Sequence, residues 1–518
     1  MRSHITLFTA CSLALSAAAG TSIDPTTKNA NHIFNVIHDS MRQWGSSLHH
    51  NGVSFFLAVV PAGTQLYHGT SKSTPVSGTE WLAFEPEHAL NFARPHRGPP
   101  PGRTGEGEGR DGPWVGHHQD LRRDRHDRRS DQSEDDARGY LHTYAAAKHL
   151  RLLYIDGMSA AKTDKGTLDS QDALLFDNSI DTDTDKGPGG PPGERDRAIR
   201  ACEMAKDDFA GRIDGVLRME AGFEIILCDF DRDLENVQIV EVASESHEPG
   251  TEQEDRHRRK GPKGPGGPGR PGGPDSAGWV RAVASRYTGI GGSRVNLNYE
   301  HFVTAFSYDL DLFPEGSVHP RLNHLKSSDL ERVRKDLTAT LLTHDPRELS
   351  WDWQATTDMI VLRYSDELSY LSSEKMTSIE QLNKHITKLM VPFTDSRERN
   401  SSAEAEKCAA QFIPRKSQDV RNIPTRAVHT VAHKICSTLI EAAAEQELTS
   451  AQTLIKSLMA YLDWTTWKEC RGCQDNEICV VPIWPMGSVD DYEKPQCKDA
   501  STPYDGEGKS YWGGFPHP

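Results

Sequence analysis

Long apolar runs are what this sequence lacks first. Beyond the N-terminus no stretch has enough consecutive apolar residues to span a bilayer, which excludes a helical membrane anchor there. Hydrophobic residues make up 36% of the 518, low for a chain folded throughout. The shortfall sits in Gly-, Pro- and charge-rich blocks at 95–138, 181–195 and 248–275, and a normal core remains once these are set aside. A basic excess is also missing. The 59 Lys and Arg stand against 75 Asp and Glu, a net charge of −16, which argues against nucleic acid as a partner. A second close cysteine pair is absent as well. Cys470 and Cys473 form a CxxC without the matching pair that a zinc site wants, so no metal is expected. The Gly/Pro block near residue 265 lacks the strict period of collagen and reads as a flexible linker.

What is there begins with a secretory signal. Arg2 gives the positive start, residues 5–15 the apolar run, and Ala17, Ala18 and Ala19 the small-residue cleavage pattern. The tail carries neither a GPI nor an ER-retention signal, so the expectation is a secreted protein or one held in the secretory lumen. Nine cysteines fit that compartment: Cys11 leaves with the signal, and eight remain for four disulfides. Pairing is not fixed by sequence. The favoured set is Cys202 with Cys228, Cys408 with Cys436, and two bridges among Cys470, Cys473, Cys479 and Cys497. One N-glycosylation acceptor occurs, Asn400-Ser401-Ser402.

The chain divides by pattern. After the signal peptide at 1–19 comes an α+β domain at 20–247, interrupted by the insertions near 95–138 and 181–195. The linker at 248–275 follows, then a mainly helical region at 276–463 and a small Cys-rich module at 464–518. Four apolar stripes mark the helical region, for example Leu330, Val333, Leu337 and Leu341, or Val428, Val431, Ile435, Leu439 and Ala442.

Two stretches carry polar residues where a core would prefer hydrophobes. Ser54–Val60 reads as a strand covered on both faces, and Gln65–Thr70 as a second strand after the turn at Pro61, Ala62 and Gly63. His68 sits in that second strand, and Gly69 after it lets something approach the backbone closely. The alternative is a core histidine bonded to a carbonyl. Residues 223–230 read as a strand that places Glu224 on a buried face, so it must be paired, protonated or at a cavity. Here the alternative is a buried Glu bonded to Arg218 or to a backbone amide. A hydrolase with paired carboxylates, Glu220 with Glu224 or Asp214, is a further option. On one strand, however, Glu220 and Glu224 would stand some 13 Å apart, too far for most such pairs.

Taken together, the stretches resemble the ADP-ribosyltransferase fold in its diphtheria-toxin and poly(ADP-ribose) polymerase branch. The first motif is Tyr67-His68-Gly69-Thr70. The second is Trp81 to Phe84 with Ala89 and Phe92, although the stacking tyrosine of that family has no clear equivalent and Trp81 or Phe84 would replace it. The third is Phe223-Glu224-Ile225-Ile226-Leu227. The resemblance covers about residues 50–245. It implies a split β-sheet, NAD as substrate, a protein acceptor, Glu224 and His68 as catalytic groups, and a cofactor-binding set of His68, Gly69, Thr70, Trp81 and Phe84. No metal is implied. Taken whole, the chain is similar to secreted fungal proteins. The competing expectation is a secreted binding or structural protein on the same fold without catalysis.

Overall fold

A computed structural model describes residues 24–93, 138–180, 193–242, 276–415, 422–504 and 510–513. The signal peptide, nearly all of the first insertion, most of the second and the linker lie outside the described residues. The fold is α+β: a large mixed sheet, helices that follow it in the chain, and a small disulfide-tied end.

The strands, in chain order, are β1 (Ser54–Val60), β2 (Gln65–Thr70), β3 (Glu80–Ala83), β4 (Gly139–Ala146), β5 (Leu150–Ile155), β6 (Gly215–Glu220), β7 (Gly222–Leu227), β8 (Leu234–Val242) and β9 (Asn296–Thr304). They form one nine-stranded sheet in the order β8-β4-β2-β3-β7-β6-β5-β1-β9. Only β5 and β6 pair in parallel. β1 is buried along its whole length, as its unbroken apolar run requires. β1 and β2 follow one another in the chain, yet four strands lie between them in the sheet.

β2 and β3 share a single pairing, Tyr67 with Ala83. The sheet therefore opens between them. β3 and β7 pair over four positions, ending with Ala83 opposite Glu224. β6 and β7 form a tight hairpin through Ala221, with Glu220 opposite Gly222 and Arg218 opposite Glu224. Gly222 sits at φ +100°, a conformation that favours glycine.

The pattern leads one to expect helices after residue 275, and β9 is the exception. It pairs with β1 and closes that edge of the sheet. Beyond it the stripes fall where they were read. Leu330, Val333, Leu337 and Leu341 are buried on the helix Ser327–Thr343, and Val428, Val431, Ile435, Leu439 and Ala442 on Ile423–Ala444. On Ile379–Met390 the stripe ends on Met390, while Leu389 is half-buried. One continuous apolar core runs from Ala30 through the sheet and the helices to Trp512.

The disulfides pair Cys202 with Cys228, Cys408 with Cys436, Cys470 with Cys479, and Cys473 with Cys497. The last two tie a hairpin, Glu477–Val480 with Gln496–Asp499, to the segment before it. Among the described residues no helix is long and apolar enough to cross a membrane. Asn400 is exposed and caps the helix Ser401–Ala410, its side chain accepting from the Ala403 amide.

Candidate functional site

Where the sheet opens between β2 and β3, a small cavity forms. His68, Gly69, Trp81 and Glu224 line it, together with Tyr67 and Ala83. The helix Pro86–Leu90 and the residues after it cover it through His88, Ala89 and Phe92. All three sequence-remote motifs thus meet at one place. The space is about 10 Å³, room for one water molecule.

Each expected residue has a definite position. His68 is buried and its Nδ1 lies 2.7 Å from the Trp81 carbonyl, the contact that the core-histidine alternative anticipates. Directly paired residues share a face, so Tyr67, Ala83, Glu224 and Arg218 point one way. Alternation sends the His68 side chain the other way, towards Phe230 and His142. His68 and Glu224 therefore border one cavity from opposite faces of the sheet. Gly69 does permit a close approach, and the approaching group is the chain itself. A Cβ there would lie 1.9 Å from the Ala89 carbonyl. Trp81 lines the cavity, and its side chain belongs to a satellite apolar cluster with Ala198 and Ile226, against which Cys202 packs. Thr70 stands outside the cavity lining, its hydroxyl accepting from the Lys72 amide at 3.3 Å. Phe84 faces a neighbouring cavity instead, with the Arg294 guanidinium 5.6 Å from its ring centroid.

Glu224 belongs to a buried charged network. Arg218 Nη2 bonds both Glu224 Oε1 and Glu194 Oε1, and Arg218 Nη1 donates to Gln171 Oε1 at 3.0 Å. The alternative reading of Glu224 as Arg218-bonded is thus met in the structure, at the floor of the cavity. Glu220 receives Lys162 Nζ at 2.9 Å and faces His88 Nε2 at 3.6 Å. His88, Glu220 and Glu224 bring their ring and carboxylate atoms within 4.8 Å of one another.

This corrects the 13 Å spacing expected for Glu220 and Glu224. The two sit on opposite arms of the β6–β7 hairpin, and the turn folds one back beside the other. The sequence signal is Gly222 alone, a glycine between two apolar runs where the chain can break its strand. Asp214 stands at the far end of β6, held by Lys148 at 2.9 Å and by Arg151, away from this network.

The electrostatics follow from burial and partners. Burial pushes the Glu224 carboxyl up, with Arg218 pulling against it. For Glu220 burial is outweighed by Lys162 and His88, and its pKa falls to about 2. Burial opposes a charged His88, yet the Glu220 carboxylate holds its pKa above the ordinary value. The network thus pushes two neighbouring carboxyls in opposite directions, Glu224 up and Glu220 down, the kind of separation that acid–base chemistry uses. His88 and Lys162 are functional candidates that the sequence reading passed over. His88 follows the Pro86 helix start and gives no local sign of its partner 132 positions later.

Residues 22–250 match the family described as YPL277C N-terminal domain. The chain is similar to two Saccharomyces cerevisiae proteins. Uncharacterized protein YOR389W is 39% identical over 219 residues, 41% of this chain and 33% of that protein. Uncharacterized protein YPL277C is 38% identical over 230 residues, 41% of this chain and 43% of that protein. The chain thus spans less than half the length of these curated relatives. No solved structure matches it.

Proposed function

We propose that the cavity between β2 and β3 cleaves the nicotinamide N-glycosidic bond of NAD in the secretory pathway, transferring ADP-ribose to a protein acceptor or to water. The observation that carries this reading is the convergence of His68, Gly69, Trp81 and Glu224, from three distant segments, on one cavity. In the step, the bond between ribose C1′ and the nicotinamide nitrogen breaks, and its electron pair leaves with nicotinamide. Positive charge develops on the ribose. Glu224 holds a ribose hydroxyl and orients the attacking oxygen, which forms the new bond to C1′ and passes its proton to the Glu224 carboxylate. The Gly69 backbone positions the leaving group and Trp81 supplies the aromatic surface, while His68, whose ring lies on the other face, acts through its contact with the Trp81 carbonyl. Arg218 fixes the Glu224 carboxyl. The four disulfides suit an oxidising compartment.

The cavity volume sets a condition. A space of about 10 Å³ does not admit a nicotinamide ring, so the helix Pro86–Leu90 must lift from Gly69 for substrate to reach Glu224. The purified protein, kept oxidised, should release nicotinamide from NAD, and Glu224→Gln should abolish release in protein that circular dichroism shows to be still folded. Absence of both NAD binding and nicotinamide release defeats the proposal.

The closed cavity and the Arg218–Glu224 pair favour a second reading, a secreted non-catalytic binding or structural protein on this fold. That reading expects no nicotinamide release, and Glu224→Gln to act on stability alone.

A further inference from the structure

A second cavity, of about 290 Å³, lies beside the first, and Tyr67 forms part of the wall of both. Its other walls include Phe84 and Glu85 from the end of β3, and Arg286 and Arg294 from the segment before β9. We propose that this cavity binds a phosphate-bearing small molecule, with Arg286 and Arg294 holding the phosphate oxygens against the Tyr67 and Phe84 walls.

Arg294 is already aimed. Its Nη1 donates to the Phe84 carbonyl at 3.3 Å and its Nη2 to the Ile290 carbonyl at 2.9 Å, which holds the guanidinium over the Phe84 ring. Arg286 presents a second guanidinium whose Nε is buried with no hydrogen-bond partner. Glu85 is 3% exposed, lines the cavity, and has neither carboxyl oxygen hydrogen-bonded. Three orphaned buried polar atoms at one cavity are costly unless something completes them. Two guanidiniums, Arg286 and Arg294, and two carboxyls, Glu85 and Glu87, line the cavity, so an anion would be held by the guanidinium donors and not by a net positive field. Burial raises the Glu85 pKa against the pull of His88, Arg294 and Arg286, so its carboxyl opposes a nearby anion less than an ordinary glutamate would. Burial, and then Arg286, makes the Arg294 charge harder to hold, a cost that an anion between the two relieves. A phosphate monoester has the charge and the oxygens to meet all three groups. The volume sits at the lower edge of ligand pockets, roughly 300 Å³, and suits a mononucleotide or sugar phosphate rather than a dinucleotide. Arg286 and Arg294 lie outside the family match at 22–250, whereas Tyr67, Phe84 and Glu85 lie inside it.

Calorimetry on the full-length oxidised protein tests it, with inorganic phosphate, adenosine monophosphate and adenosine as the three probes. Phosphate and the monophosphate should bind, adenosine should not, and affinity should fall as salt is raised. Tighter binding of the monophosphate identifies a phosphate ester as the ligand class. Equal binding of the two identifies free phosphate and overturns the ester. Arg286→Ala should weaken binding by roughly tenfold or more. Arg294→Gln is the second variant should the first not fold. Glu224→Gln should leave phosphate binding untouched, which separates this inference from the cleavage reading. Binding of adenosine as tight as that of the monophosphate, no binding of either phosphate probe, or full affinity in a folded Arg286→Ala overturns it.

Discussion

The helices after residue 326 and the β6–β7 hairpin both bury side chains almost completely, but of opposite kinds. On Ser327–Thr343 the buried positions are Leu330, Val333, Leu337 and Leu341, and every charged residue of that helix lies outside the core. On the hairpin, Arg218, Glu220 and Glu224 are as buried as those leucines, and His88 joins them. An apolar stripe stabilises by leaving water, with no partner geometry to satisfy. A buried ion network gains little over a hydrophobic replacement, and removing one member leaves charges stranded. A protein that holds six ionisable groups around one small cavity therefore gives up stability that leucines would have supplied. That is the physical reason for placing function at the hairpin and support in the helices.

The largest expected effect would sharpen this contrast. Arg218→Met keeps the length of the side chain and removes its charge. Glu224 and Glu194 then lose their shared partner, and Gln171 loses a donor. We expect a loss of up to about 5 kcal/mol in denaturant unfolding. Adding Glu224→Gln should recover part of it, because one stranded charge is gone. A single mutant as stable as wild type would show that the network is not ionised as described, and the contrast would break.

In the helices the matching test is Leu337→Ala, which should cost about 3 kcal/mol through lost burial and the cavity left behind. No second substitution among its polar neighbours should rescue it. Nicotinamide release, if present, should survive the change under conditions where the protein stays folded. Loss of activity without loss of fold would couple the helices to the site.

The two regions also differ in how far the sequence revealed them. The helical stripes and the bounds of β1 and β2 follow from local pattern, and cysteine spacing favours two of the disulfides, Cys202–Cys228 and Cys408–Cys436, while the pairing within the last four cysteines is open in the sequence. These depend on near neighbours or on few candidates. β9 was missed because residues 296–304 mix polar and apolar positions, and only its pairing with β1 makes a strand of them. The separation of β1 from β2 across four strands has no local signature. At the site, Glu224 announced itself by lying in an apolar run. Its true companions did not: Glu220 looked distant because the turn at Gly222 was read as continuous strand. His88, Lys162 and Glu194 reach the buried charged network from three separate segments whose sequences name no common destination. Convergence of this kind is a property of topology, and a residue pattern cannot encode it alone.

A pH-dependent effect concerns a buried carboxyl in the sheet but outside the network. Asp156 follows β5, accepts from the Tyr154 hydroxyl at 2.8 Å, and has its pKa pushed up to about 7, first by burial. Asp39 adds to the rise, while Gly157, Tyr154 and His49 oppose it. A folded-state value above the ordinary carboxylate value means that folding favours the protonated form. Its contribution is therefore full at acidic pH and is lost as pH rises through about 7. Asp156→Asn removes the titration while keeping the shape. The variant should match wild type near the ordinary carboxylate pKa and exceed it increasingly as pH rises, by up to about 4 kcal/mol above neutrality, so its stability profile is the flatter one. Thermal melts across that range read the difference directly. If the profiles run parallel, Asp156 is ionised throughout. Burial of charge in this sheet would then cost less than the comparison with the leucine stripes requires.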